Sequence, residues 1–330
     1  SRQGVRSMKY VFSSILKDVI SDFLKEKRSL GFDYKTEERY LRDIDKLALT
    51  VGLKEIVITK EFVQSYTAKK AYEKPISRTH RVRVIRELAK YMIRMDYDAY
   101  IVPPLPKNSY RSDFIPYIFT EDEIKRIFTA IDEWSVSKSL DDQYYPQRYK
   151  YTVIFRILYS TGMRISEVLN LKLENIDFEN NTFTILNAKN HSERIIPIHV
   201  NMMDILKTYI IHENIFISNG YLFKGKNENE HLDKSTVDFY FLKFLRLAGI
   251  PHPQGGPRVH SFRHTFCVHR LKIWVLDKKD ITALFPYLCA YMGHKDTRCT
   301  EYYLRLTADL YPDIIDKTET YFYDGDQDVK

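Results

Sequence analysis

Three prolines within four positions, Pro103, Pro104 and Pro106, divide this chain. A proline lacks the amide donor and pushes the residue before it out of the helical region, so neither a helix nor a paired strand runs through residues 102–106. The segments on either side must bury separate cores. With 330 residues there is enough chain for two domains of ordinary size. A boundary is expected between residues 98 and 118, giving a helical domain over 1–110 and a second domain over 111–330.

The first segment reads as helices. Val11, Ile15, Val19, Phe23 and Leu24 recur at helical spacing, and Leu30-Gly31-Phe32 has the form of a glycine-terminated helix end. A second helix is expected over 36–47, a short one over 61–72 and a fourth over 77–95. In the fourth, Ile85, Leu88, Ala89 and Met92 form the apolar stripe, while Arg83, Arg86, Lys90 and Arg94 fall on another face. That second face is a row of cations about 5 Å apart per turn, which suits a phosphate backbone.

Charge location strengthens that reading. The chain carries a net charge of +7. Residues 1–115 hold 24 Lys/Arg against 15 Asp/Glu, so all of the positive surplus lies in the first third. Lys69, Lys70, Lys74, Arg78 and Arg81 join the helical row, making nine basic residues within 69–94 against Glu73 and Glu87. The imbalance predicts a nucleic-acid surface over Lys69, Lys70, Arg78, Arg81, Arg83, Arg86, Lys90 and Arg94. Too few acidic residues accompany them within the segment for a helix held by its own ion pairs.

Beyond the prolines, Thr120 and Glu123 have the spacing of a capping box and predict a helix start. Two helices are expected over 151–160 and 164–171, separated by a tight turn at Thr161-Gly162. Three short strands are expected over 176–178, 182–186 and 194–198, joined by turns at 179–181 and 189–192. The remainder reads as helical, with a loop over 251–257. The fold class is therefore mainly α with a small antiparallel β-sheet.

The second segment also collects reactive side chains in a suggestive order. Arg164 follows the Thr161-Gly162 turn, Lys189 sits at a hairpin tip, and His260-Ser261-Phe262-Arg263-His264 forms an HxxRH motif. Gly293-His294 is followed nine residues later by Tyr303. Breaking a phosphodiester through the protein itself needs a side-chain nucleophile. It needs cations for the charge growing on the pentavalent phosphate, and an acid for the departing 5′ oxygen. Two arginines are a natural clamp, because their planar forks pair with the nonbridging oxygens.

This set resembles the tyrosine recombinase (phage integrase) family over roughly residues 151–306, with a closer likeness to transposon-encoded members than to Xer-type resolvases. The resemblance implies a two-domain DNA clamp, a helical SAM-like core-binding domain followed by a catalytic domain. It assigns Arg164, Lys189, His260, Arg263, His294 and Tyr303 to catalysis. Tyr303 is the expected nucleophile, with its neighbour Tyr302 as the alternative. Lys189 is the expected proton donor to the 5′ oxygen, its pKa lowered by the arginines. His260 is read as a proton acceptor or phosphate ligand, and His294 as a hydrogen-bond donor to phosphate. His264 is read as structural, and Glu167 as an anchor for its helix.

The resemblance further implies a 3′-phosphotyrosyl intermediate, a Holliday junction, and a homotetramer on two duplex DNA sites. The tail from 308, with Asp309, Leu310, Tyr311, Ile314 and Ile315 on one face, is expected to dock on a neighbouring protomer. A type IB topoisomerase and a catalytically inactive DNA-binding regulator are the rival readings. The interval between Arg263 and His294 exceeds that of compact members, and residues 272–282 are expected to hold the excess as a surface loop.

Other classes fit poorly. No apolar run is long enough to cross a bilayer, and residues 1–7 lack the apolar core of a signal peptide. Met8 is the expected native start. Cys267, Cys289 and Cys299 have no CxxC spacing, and no third ligand accompanies the two motif histidines at zinc-site spacing. No metal and no cofactor are therefore expected, and a cytoplasmic setting is.

Overall fold

The computed structural model describes residues 10–105, 115–136, 148–186, 193–216, 219–227 and 229–293, together with Tyr303 and Thr307. The chain forms two compact units, Ser1–Phe114 and Ile115–Lys330.

The described part of the first unit is built from α1 (Lys17–Ser29), α2 (Lys35–Thr50), α3 (Lys60–Thr67) and α4 (Pro75–Arg94). Helix α4 packs against the other three. Ile85, Leu88 and Met92 from α4 meet Ile20, Phe23, Leu41, Ile44 and Val63 in one buried cluster. The apolar stripe read from the sequence is thus the core face of α4.

Helix α1 starts later than its apolar spacing suggested, and Val11 lies exposed. The reason is Asp45 of α2, which is fully buried and accepts from the Ser13 and Ser14 amides and the Tyr10 hydroxyl. Those bonds hold the chain before α1 out of helical geometry. Helix α3 stops at Thr67, short of the expected 72, because Ala68 turns extended with ψ 140°.

The cationic row on α4 is more engaged than its sequence implied. Arg81 is 2% exposed and points inward. It donates to Glu73 Oε1 at 3.0 Å, Glu73 Oε2 at 2.7 Å and the Ala68 carbonyl at 2.9 Å, so it is removed from the expected DNA surface. Arg78 and Arg86 are half-buried and donate to the carbonyls of Thr67 and Val102. Arg83 pairs with Glu37 of α2, Arg94 with Glu26 of α1, and Lys90 with Glu87. Two of these acidic partners come from other helices, which a count within residues 69–94 cannot see. Lys69 and Lys70 remain exposed. The exposed pairs of Arg83, Lys90 and Arg94 are weak enough, at ~0–1 kcal/mol each, for a phosphate to displace.

In the second unit, α5 (Glu121–Val136) begins at the expected box: the Thr120 amide donates to Glu123 Oε2 at 2.9 Å, and the Glu123 amide to Thr120 Oγ1 at 3.1 Å. Helix α6 (Tyr149–Thr161) is buried nearly all round, and α5, α8 (Val200–His212) and α10 (Ser261–Leu276) pack on it. Between them lie α7 (Ile165–Leu169), a single 3-10 turn (Leu173–Asn175), and strands β1 (Ile176–Asp177), β2 (Thr182–Ile185) and β3 (Arg194–Pro197).

The sheet order is β1-β2-β3, antiparallel throughout, with Phe183 opposite both Ile176 and Ile196. These three side chains face the core and the residues between them face out, the period-2 signature of a one-sided sheet. Helices α9 (Lys234–Leu247) and α11 (Ile281–Met292) complete the described elements. The excess residues after Arg263 do not form the surface loop expected over 272–282. They lengthen α10 to Leu276 and start α11 at Ile281, where Asp280 caps the helix by accepting from the Ala283 amide.

Candidate active site

Two helix C-termini create the site. Helices α6 and α11 each end in a glycine in the left-handed region, Gly162 with φ 61° and Gly293 with φ 64°. Glycine enters that region without the Cβ penalty. At Gly162 a Cβ would also come within 2.5 Å of the Phe266 ring, so no larger residue fits without displacing that ring. Carbonyls at a helix C-terminus carry partial negative charge and lack intrahelical partners. Here they receive the arginines of both motifs.

Arg263, in the first turn of α10, is 2% exposed. It donates from Nη1 to the Gly162 carbonyl at 2.7 Å and from Nη2 to the Met292 carbonyl at 2.5 Å. Arg164 occupies the N-cap of α7, one residue earlier than the first-turn position expected. It donates from Nη2 to the Gly293 carbonyl at 3.4 Å and from Nη1 to Glu167 Oε1 at 2.8 Å. The two guanidiniums thus sit on consecutive carbonyls at the end of α11. Burial, followed by the neighbouring charge of Arg164, lowers the Arg263 pKa to about 10, and Arg263 stays charged at neutral pH.

Glu167 supports this arrangement. It accepts from the Arg164 amide at 2.8 Å, closing the start of α7, and from Arg194 of β3 through Nη1 at 3.2 Å and Nη2 at 2.7 Å. Burial alone would raise this carboxyl. The hydrogen bonds from Arg194 and Arg164 outweigh burial and hold it below its usual range. Arg194 Nε in turn donates to the Tyr291 carbonyl, so the base of the hairpin is tied to α11.

Tyr303 lies on helical backbone, 4% exposed, in an apolar cluster with Phe266, Leu271, Leu288 and Met292. Its hydroxyl is 2.7 Å from His264 Nδ1. The ring of His264 makes an edge contact with His260 at a centroid distance of 4.7 Å. His264, read from sequence as structural, therefore hydrogen-bonds the hydroxyl of the expected nucleophile. The signal was present in the helical spacing: His260 and His264 are four apart and share one face of the helix start. The structure brings together Arg164, His260, Arg263 and Tyr303. Lys189 and His294 lie outside the described residues, as does Tyr302. Among the described residues, no group of three His, Cys, Asp or Glu is placed to hold a metal ion.

His260 precedes α10 and reaches solvent on its outer side. Loss of hydration, then the charges of Arg263, Arg164 and Lys234, lower its pKa from 6.5 to about 4, opposed by Glu167. The imidazole is neutral at neutral pH and offers one acceptor and one donor nitrogen. A folded-state pKa below the unfolded value contributes stability that is complete above 6.5 and lost as pH falls toward 4. Thermal melts across that window are expected to show Tm falling with pH, and His260→Gln to flatten the slope. Buried His269 shifts in the same direction and leaves a residual slope in the variant. An identical slope in His260→Gln and the parent would contradict the assignment.

Comparison with known proteins identifies the family. The phage integrase family matches residues 118–309, more than half of the chain. The integrase/recombinase-type protein y4rB of Sinorhizobium fredii is 26% identical over 322 residues, covering 93% of this chain and 98% of y4rB. Tyrosine recombinase XerA of Pyrococcus horikoshii is 27% identical over 219 residues, covering 66% of this chain and 64% of XerA. Among solved structures, the Tn1549 transposon integrase superposes with a TM-score of 0.56 at 19% identity, covering 86% of this chain and 94% of that one. The XerH recombinase superposes with a TM-score of 0.57 at 20% identity, covering 77% and 70%. The mostly helical fold, the small antiparallel sheet and the family match converge: the chain belongs to the phage integrase family, the tyrosine recombinases.

Proposed function

We propose that this protein cuts and rejoins duplex DNA at specific sites, with Tyr303 as the nucleophile. The observation that carries the reading is the convergence of Arg164 and Arg263 on the carbonyls of Gly293 and Met292, with the Tyr303 hydroxyl held by the residue that follows Arg263. The Tn1549 integrase is solved with transposon right end DNA and XerH with a palindromic difH substrate, which supports DNA as the partner here.

The chemistry follows from the side chains. A scissile phosphate entering the site is bound by the two guanidiniums, which the helix-end carbonyls hold in place. Guanidinium–phosphate bonds are charge-assisted and can be bidentate, which fixes the phosphate in position as well as binding it. The Tyr303 oxygen attacks phosphorus and the bond to the 5′ oxygen breaks. The electron pair leaves with that oxygen, which takes a proton from Lys189. His264 accepts the tyrosine proton, and His260 and His294 contact the phosphate. A 5′ hydroxyl from a partner duplex then attacks the phosphotyrosyl link and releases Tyr303. Bond energy is conserved across the two steps.

In this reading residues 1–110 grip the duplex and residues 111–330 carry out the chemistry. Four protomers exchange strands in two pairs, linked through their tails. Asp309, Leu310, Tyr311, Ile314 and Ile315 of that tail lie outside the described residues.

The test is covalent trapping. The full chain is incubated with nicked suicide duplexes carrying candidate element ends, and protein–DNA adducts are sought on denaturing gels. An adduct supports the reading. DNA binding without any adduct favours an inactive regulator, and supercoil relaxation without strand exchange favours a topoisomerase. His264→Phe keeps an aromatic ring of similar size but cannot hold the hydroxyl. It is expected to slow single-turnover cleavage about 100-fold while leaving DNA affinity within about twofold. Cleavage at the parent rate would remove His264 from the chemistry.

A further inference from the structure

The turn between α3 and α4 is built in an unusual way. Tyr72 is fully exposed, at 105% of its reference area, and adopts φ 60° in the left-handed region that side chains other than glycine seldom occupy. A bulky residue persists there only where the surroundings over-determine it. The surroundings do so here. Arg81 is buried under the turn, its guanidinium 5.3 Å from the Tyr66 ring, and it donates to both the Ala68 carbonyl at the start and the Glu73 carboxylate near the end. Glu73 also accepts from the Lys70 amide at 3.3 Å. An ion pair and two hydrogen bonds to the backbone thus fix the inner side of the turn. Its outer side presents Lys69, Lys70, Tyr72 and Lys74, all exposed.

We propose that this turn is a DNA-contacting element in which Tyr72 packs on the deoxyribose of the duplex backbone while the three lysines engage flanking phosphates. The proposal rests on the recombinase reading and adds to it a residue outside the catalytic unit. An exposed aromatic ring gains when a partner covers it, and the C–H face of a deoxyribose between two phosphates is such a partner. The lysines select a polyanion as that partner. The buried pair explains the acidic residue in an otherwise basic turn. Glu73 faces inward with a 9% exposed side chain, so it does not oppose the phosphates.

Tyr72→Gly separates DNA binding from folding, because glycine is at ease at φ 60°. The expected result is a Tm equal to or above that of the parent, together with about a tenfold loss of affinity for a mixed-sequence DNA duplex at low salt. Tyr72→Phe keeps the ring and is expected to bind as the parent does. Replacing Lys69, Lys70 and Lys74 with alanine is expected to shallow the dependence of log affinity on log salt by ~0.9 for each phosphate that is no longer neutralised. Equal affinity of Tyr72→Gly and the parent overturns the inference while the parent still forms its covalent adduct. A parent chain that binds no duplex overturns it together with the recombinase reading.

Discussion

Tyr303→Phe is expected to form no covalent adduct with any suicide duplex, a loss of at least about ten-thousandfold, and to bind DNA as the parent does. The substitution removes one oxygen from a ring that is 4% exposed and otherwise packed among apolar side chains. It removes the hydrogen bond with His264, worth about 1 kcal/mol. The readout is the retarded band on a denaturing gel. A band persisting in Tyr303→Phe and lost in Tyr302→Phe would move the nucleophile to the neighbouring position.

Arg263→Lys is expected to lower cleavage about 1000-fold and to lower Tm as well. A lysine keeps the charge but is a point donor on a flexible stem and cannot reproduce the planar fork that bridges the Gly162 and Met292 carbonyls. Leaving those buried acceptors partly unpaired costs about 1–3 kcal/mol each. Cleavage and stability therefore fall together, whereas Tyr303→Phe lowers cleavage with little change in Tm. Single-turnover rates and melting curves on both variants give the comparison. Arg263→Lys with parental Tm would show that the fork does not join the helix ends in solution.

The motif positions are readable in the sequence because each depends on short-range geometry. The Thr161-Gly162 turn, the HxxRH spacing on a helix start, and the capping box at Thr120 and Glu123 are set within four residues or fewer. The sheet is readable for the same reason, since Phe183, Ile196 and their alternation declare a one-sided strand pair. What does not show is long-range. Glu37 and Glu26 lie 46 and 68 residues from their arginine partners, so the α4 row looks unpaired. Asp45 stops α1 from starting early through amides some thirty residues away. His264 looks structural because its hydrogen bond to Tyr303 spans 39 residues. The inward turn of Arg81 is invisible to a charge count, which treats every cation as if it met water.

Glu167 has a consequence for how the protein tolerates change. One carboxylate positions Arg164, the proposed phosphate ligand, and also holds Arg194, the first residue of β3, which follows the expected Lys189 turn. The same Arg194 reaches the Tyr291 carbonyl beside the two carbonyls that seat the arginine pair. A substitution at Arg194 is expected to loosen the start of β3, the seating of Arg164 and the end of α11 at once. Arg194 is therefore expected to influence the rate through Glu167 and the Tyr291 carbonyl rather than by contact with substrate.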